Sequence, residues 1–312
     1  ALLDTGNILY RASANRLFSR EMGASYGGPL GQVSRSAPGG RHQLWMQALG
    51  SWGSVGATSD AQRMTRSIGG LLFGGDTPLG TQGYAGLAMG LTTSSYNAAG
   101  NADADTDGYH LMSYLGWSAN RVSIRGGLGQ SWYRIDTRRN IAYNNLGQAQ
   151  SKANAVSTHL FAELAYALSQ GTIVVEPYWG IQRAWLTRNG FQESGSSVAL
   201  SADKSRQAIT FSRLGLRAQM AVSNNETTST LLTANVGWRR AWGDLTPETR
   251  LRFSTGPAYT VSGAAVSRDA LVAELGVEVS ASDNSVLSFG YAGQFGDGSQ
   301  DHGLQARLAW RF

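Results

Sequence analysis

From Arg41 to the C-terminus, apolar residues recur at every second position. The last eleven residues show the pattern most plainly. Leu304, Ala306, Leu308, Trp310 and Phe312 share one face, and Gln305, Arg307, Ala309 and Arg311 share the other. A period of two is the signature of a strand with unlike faces. The same alternation sets Val122, Ile124, Gly126, Leu128 and Trp132 against Arg121, Ser123, Arg125, Gly127 and Ser131. It sets Leu160, Ala162, Leu164, Tyr166 and Leu168 against His159, Glu163 and Ala165. It also sets Leu271, Ala273, Leu275, Val277 and Val279 against Glu274, Gly276 and Glu278. The pattern predicts twelve strands, at about 41–56, 66–78, 80–96, 106–119, 121–136, 152–169, 171–187, 204–222, 226–243, 264–282, 284–297 and 301–312. The first three are Gly-rich, and their facing is ambiguous. Before Arg41 the period changes. Ile8, Leu9, Ala12, Leu17, Phe18 and Met22 recur at three-to-four spacing beside Arg11, Arg16, Arg20 and Glu21. This predicts a helix from Asn7 to Met22, about 24 Å long at 1.5 Å per residue. Residues 23–40 are rich in Gly, Ser and Pro and read as a linker.

The predicted connections alternate in length. Tight ones fall at Leu79-Gly80, Ala119-Asn120, Gln170-Gly171, Ser223 to Glu226 and Ser282 to Asn284. Long polar ones fall at about 57–65, 97–105, 137–151, 188–203 and 244–263. Short turns on one rim and long loops on the other are the habit of membrane barrels. The fold class is therefore all-β: a twelve-stranded antiparallel transmembrane β-barrel, preceded by an N-terminal α-helix about as long as the apolar band is tall. Closure requires residues 41–56 to pair with residues 302–312, because an open edge in lipid leaves backbone groups unpaired.

Composition agrees. Charged residues make up 15% of the chain, against roughly 25% in soluble domains. There are 40 Gly, 6 Pro, 9 Trp and 12 Tyr among 312 residues. Mean hydropathy is slightly negative, and no run of about 18 apolar residues offers a transmembrane helix. The net charge of +5 comes mostly from Arg and is spread along the strands, so nucleic acid is not an expected partner. There is no Cys, hence no disulfide framework. The first residues, Ala1 to Gly6, lack the basic and apolar regions of a signal peptide; any export signal is expected upstream or already removed.

A helix, a linker and twelve strands ending in Leu308-Ala309-Trp310-Arg311-Phe312 resemble the translocator domain of type V autotransporters. The most specific stretches are Ser212-Arg213-Leu214-Gly215-Leu216-Arg217, Gly237 to Asp244 followed by Pro247, Glu274-Leu275-Gly276-Val277, Leu287 to Phe295, and the terminal strand. The resemblance implies one translocator domain, with residues 1–40 as lumenal helix and linker and 41–312 as barrel. It implies the outer membrane of a Gram-negative bacterium, export and anchoring of an upstream passenger, a monomer, and no cofactor. Its implied partners are outer-membrane lipid, its own passenger segment, the barrel-assembly machinery and periplasmic chaperones. It marks Leu308, Trp310 and Phe312 as an assembly signal. A passive porin and a rim-site outer-membrane hydrolase are the alternatives.

Strand parity supplies the candidate site. Arg125, Glu163, Glu176, Arg213, Arg217, Arg239, Glu274, Glu278 and Arg307 fall on the inward face, where charges avoid lipid. There they would line a channel and bind the polar groups of the helix, Arg11, Arg16 and Arg20 among them, or else form a lattice that stiffens the barrel. Some members of the resembled family cut the passenger within the helix at an Asn. Asn7 and Asn15 are available here, though neither is in an Asn-Asn pair, and the domain is not expected to be an enzyme. Asp103, Asp105, Asp107 and Gly108 open like a calcium loop, but Tyr114 stands where the bidentate Glu belongs, so an acidic surface loop is expected. His42, His110, His159 and His302 have no metal spacing. A hydrolytic site at the rim would have to use His302 with Asp301 or Asp297.

Overall fold

The structure, a computed structural model, describes Phe18 and residues 42–57, 62–99, 102–141, 147–224, 229–282 and 284–312. Twelve barrel strands run in chain order: Gln43–Val55, Met64–Leu79, Gly83–Ala98, Ala102–Ala119, Val122–Asn140, Gln148–Tyr166, Ile173–Arg188, Ser205–Asn224, Ser229–Gly243, Asp269–Ser282, Ser285–Gly296 and Ser299–Arg311. Each pairs antiparallel with its neighbours in sequence, and the first pairs with the last. The seam runs without a slip from Gln43↔Arg311 to Val55↔Ser299. The barrel is closed. No helix among the described residues is long and apolar enough to cross a membrane, and the chain spans with strands instead. The predicted helix at 7–22 lies outside the described residues except for Phe18, which is helical and buried.

The outer face is apolar and exposed, as alternation requires. Along the fifth strand it presents Val122, Ile124, Gly126, Leu128, Gln130 and Trp132, and then Arg134, Asp136 and Arg138. Ten steps from Val122 to Trp132 at about 3.3 Å each, on strands tilted by about 40°, give a band of roughly 25 Å, the apolar thickness expected of such a barrel. Beyond Trp132 the ladder continues into water.

That continuation corrects two predicted loops. The stretch 97–105 is a hairpin, with Asn97 opposite Asp103 and Ser95 opposite Asp105. Most of 137–151 is strand as well, interrupted only between Asn140 and Gln148. Polar sequence looked like loop because a strand above the bilayer no longer alternates with lipid-facing residues. Its side chains pair with one another: Asn97 Nδ2 donates to Asp103 Oδ1 at 2.7 Å, Ser95 Oγ to Asp105 Oδ1 at 2.9 Å, and Arg138 Nη2 to Asp105 Oδ2 at 2.6 Å. The acidic Asp103-x-Asp105-x-Asp107-Gly108 stretch is thus neither a calcium loop nor a loop at all. The long connections at 189–204 and 244–268 hold a small sheet of their own, formed by Phe191–Gln192, Leu200–Ala202, Glu248–Phe253 and Tyr259–Ser262.

The sixth strand, predicted as one piece, breaks after Tyr166 and resumes at Leu168–Gln170. The register is Ala165↔Tyr178 before the gap and Leu168↔Val175 after it. Pro177 therefore stands opposite Tyr166 and has no N–H to give. At the tight turn between the fourth and fifth strands Asn120 adopts φ +53°, a left-handed conformation that Asn tolerates better than most residues.

The buried face is the lumen. Trp45, Leu72, Tyr84, Ala88, Met112, Tyr114 and Phe161 form its main apolar cluster. These rings explain the Gly-rich strands. Tyr114 covers Gly86, Tyr84 covers Gly116, and Phe161 covers Gly127, so that a Cβ on any of these glycines would collide with a ring. Trp45 covers Gly74 in the same way and donates from Nε1 to Tyr114 Oη at 2.9 Å, while Tyr114 donates to Asp76.

Candidate functional site in the barrel lumen

All nine charged residues assigned inward by parity are buried on the inner face. Four of them meet near the short-turn rim. Arg125 enters from the fifth strand, Glu163 from the sixth, Glu176 from the seventh and Arg217 from the eighth, and the register places them side by side: Arg125↔Glu163 and Glu176↔Arg217 are direct cross-strand partners. Arg125 Nη1 donates to Glu163 Oε1 at 2.8 Å and to Glu176 Oε1 at 2.7 Å, and its Nη2 donates to Glu176 Oε2 at 2.9 Å. Arg217 grips Glu163 with both nitrogens, Nη1 to Oε1 at 2.6 Å and Nη2 to Oε2 at 2.7 Å. The side chains of Arg125, Glu163 and Glu176 are 0% exposed. Two cations and two anions alternate, so the group is neutral, and the fork geometry of guanidinium on carboxylate fixes each member.

Tyr178 lies beneath this group. Arg217 Cζ sits 4.0 Å from its ring centroid, and its hydroxyl donates to Asn235 Oδ1 at 3.0 Å. Asn235 Nδ2 then reaches Glu274 Oε2 at 3.4 Å. Arg307 Nη2 donates to Glu278 Oε2 at 3.0 Å and to Ser288 Oγ at 3.1 Å. Arg213 Nη1 donates to Gln182 Oε1 at 3.3 Å, and Arg239 Nη2 to the Ser267 carbonyl at 2.8 Å, with its Cζ 5.0 Å from the Phe211 ring.

Phe18, the described residue of the N-terminal segment, lies at this site. Its ring packs with Ala167 and Val174, and the guanidinium carbons of Arg125 and Arg217 each lie 5.6 Å from its centroid. A cavity beside it is bordered by Gln47, Arg217, Asn235, Glu274 and Arg307. Arg11, Arg16 and Arg20 lie outside the described residues. Sequence reasoning counted Phe18 only as one apolar position of the helix and missed Tyr178, Gln182 and Asn235. The last three share the parity of Glu176 and Arg239, which was the signal available to find them.

Asp301 and His302 are adjacent in a strand and point to opposite faces. Asp301 pairs with Arg66 at 2.6 Å, whereas His302 stacks outside against Trp52 and accepts or donates a 2.8 Å bond with Tyr291. Among the described residues no three His, Cys, Asp or Glu are grouped to hold a metal ion. His110 is bonded to Thr92 and Ser131, and His159 to Ser157.

A closed barrel of twelve strands with an apolar exterior, a charged interior and an N-terminal residue seated in its lumen defines an outer-membrane transport domain. The Autotransporter beta-domain family matches residues 44–292, and the chain belongs to it. An extracellular serine protease of Serratia marcescens is 34% identical over 270 residues, which are 86% of this chain and 26% of that protein. The chain thus spans about a quarter of the relative's length, and the protease activity in that name is said of the longer protein. The translocator domain of the autotransporter NalP from Neisseria meningitidis has the same fold, with a TM-score of 0.74, 17% identity, and 99% of this chain and 98% of that one covered. The transport unit of the autotransporter AIDA-I from Escherichia coli aligns with a TM-score of 0.65, 16% identity, and 96% and 97% covered. The domain is an outer-membrane translocator for passenger export and is not itself catalytic.

Proposed function

We propose that the Arg125–Glu163–Glu176–Arg217 group is the seat on which the passenger's last segment rests after export, with residues 1–40 as helix and linker and 41–312 as the barrel. The observation that carries this is Phe18, buried in the lumen between two guanidiniums. Its contacts explain how a helix is held: an aromatic face shared by two cations, against a neutral ion lattice that does not attract a stray counterion. Arg11, Arg16 and Arg20 would approach the other two glutamates of this charged set, Glu274 and Glu278, beside Arg213, Arg239 and Arg307 on the same inner face. The helix stays uncut in this reading, because the lattice carboxylates Glu163 and Glu176 are engaged by arginines and are not free to act as bases. Leu308, Trp310 and Phe312, which are 42%, 54% and 61% exposed on the outer face beside the seam, are the contact for the barrel-assembly machinery, which periplasmic chaperones precede. Single-channel recording tests the seat. The full chain should conduct poorly, and removal of residues 1–22 should raise conductance several-fold. A chain that conducts equally with and without them has no plug.

A further inference from the structure

On the fourth and fifth strands the outward charge stands beyond the aromatic ring: Asp107 beyond Tyr109, and Arg134 beyond Trp132. On the seventh and ninth strands an arginine stands on the outer face with a tryptophan still beyond it: Arg183 lies between Ile181 and Trp185, and Arg240 between Trp238 and Trp242. Both side chains are on the lipid-facing side, and that of Arg240 is 40% exposed. An arginine on this face costs stability in proportion to its depth, up to several kcal/mol at mid-bilayer and little at the interface, so such a pair calls for a partner.

The two flank one strand. Arg183 is the cross-strand partner of Thr210, and Arg240 of Ser212. Two strand spacings and a two-residue stagger put their backbones about 12 Å apart. Arg183 Nη1 donates to Thr210 Oγ1 at 2.7 Å, and its Cζ lies 5.5 Å from the Trp185 centroid. Arg240 lies 5.9 Å from the Trp238 centroid, with Asp269 at 3.7 Å on its far side. Trp179 and Trp238 are themselves fixed, by Nε1 bonds to Ser212 Oγ at 3.1 Å and to Asp269 Oδ1 at 3.0 Å. Arg240 therefore lies over a held ring and Arg183 over Trp185, and each has donors to spare, since among the described residues five N–H groups serve one hydroxyl or one carboxylate at 3.7 Å.

We infer that this surface binds a phosphorylated glycolipid of the outer leaflet, with its phosphates on Arg183 and Arg240. Guanidinium matches phosphate with paired donors. The indole faces of Trp185 and Trp242 offer a platform for sugar rings. Below the arginines, Ile181, Leu214 and Val236 continue an exposed apolar wall, which accepts acyl chains and has no use for free phosphate. The site goes beyond the translocation reading and does not depend on the lumenal seat.

The test uses the whole 312-residue chain folded in neutral detergent, with native mass spectrometry reading bound lipid and heat-modifiable gel mobility reading the folded barrel. The expected result is one retained molecule of lipid A bearing both phosphates, and at least tenfold less of the same lipid with its phosphates removed. R183Q/R240Q should lose the phosphorylated lipid at least tenfold while keeping its mobility, and R138Q, above the girdle, should keep it. Equal retention of both lipids, undiminished retention by the folded R183Q/R240Q chain, or displacement by millimolar inorganic phosphate overturns the site. Should the double variant not fold, the two lipids on the unaltered chain still decide.

Discussion

Glu163→Gln is the sharpest perturbation of the lumenal group. Glu163 accepts hydrogen bonds from Arg125 and, with both oxygens, from Arg217, and its side chain is fully buried. The amide is nearly the same shape, so packing is spared. What changes is the charge: two guanidiniums are left with Glu176 alone, and the group carries a buried net positive charge. Breaking a buried pair from one side costs about 3–5 kcal/mol, whereas removing both partners is often close to neutral. The single variant should therefore lose about 3 kcal/mol or more, and Glu163→Gln/Arg217→Gln should be more stable than Glu163→Gln alone. With guanidinium slopes of about 2–6 kcal/mol per M, the single variant's midpoint should fall by about 0.5–1.5 M in detergent. Tryptophan fluorescence would follow the transition, with heat-modifiable mobility as a second probe. A single variant within about 0.5 kcal/mol of the parent, or a double variant less stable than the single, would refute the reasoning: lumenal water would then be screening the charges.

Two further outcomes follow from the lumen wall and the seam. Gly86→Ala places a methyl against the Tyr114 ring and should cost about 1–3 kcal/mol, seen as a lowered midpoint, while Gly69→Ala, whose Cβ meets nothing within 4 Å, should cost far less. Phe312→Ala should leave refolding in detergent nearly unchanged but reduce the amount of barrel assembled in cells several-fold, measured by heat-modifiable mobility of outer-membrane fractions; equal defects in both settings would make Phe312 merely structural.

The twelve strands and the inward charges were legible because lipid enforces alternation: a strand with one lipid face and one wet face has little freedom in its pattern. Legibility failed where that constraint lapses. Glycines such as Gly74 and Gly86 carry no side chain to declare a face, and the explanation for them lies on other strands, in Trp45 and Tyr114. Those inward aromatics broke the equation of apolar with lipid-facing that the parity argument used. Above the girdle, Asp103 to Asp107 lost the alternation and passed for loop. Pro177 broke its neighbour's strand and left its own intact, so no reading of residues 152–169 alone could have placed the gap. In the lumen, parity found nine buried charges but neither Asp76 nor the Arg66–Asp301 pair on the Gly-rich and terminal strands, and it did not find the grouping, which depends on register between strands, such as Arg125↔Glu163 and Glu176↔Arg217.

The seam between the first and last strands carries a consequence for permeability. Its ladder is unbroken from Gln43↔Arg311 to Val55↔Ser299, about a dozen backbone hydrogen bonds at one per paired residue. Parting it within the bilayer would strand those groups in hydrocarbon at several kcal/mol each, a barrier of tens of kcal/mol. The wall therefore does not open sideways on a physiological timescale. Whatever occupies the folded lumen exchanges along the barrel axis, and the closed wall keeps it apart from the lipid.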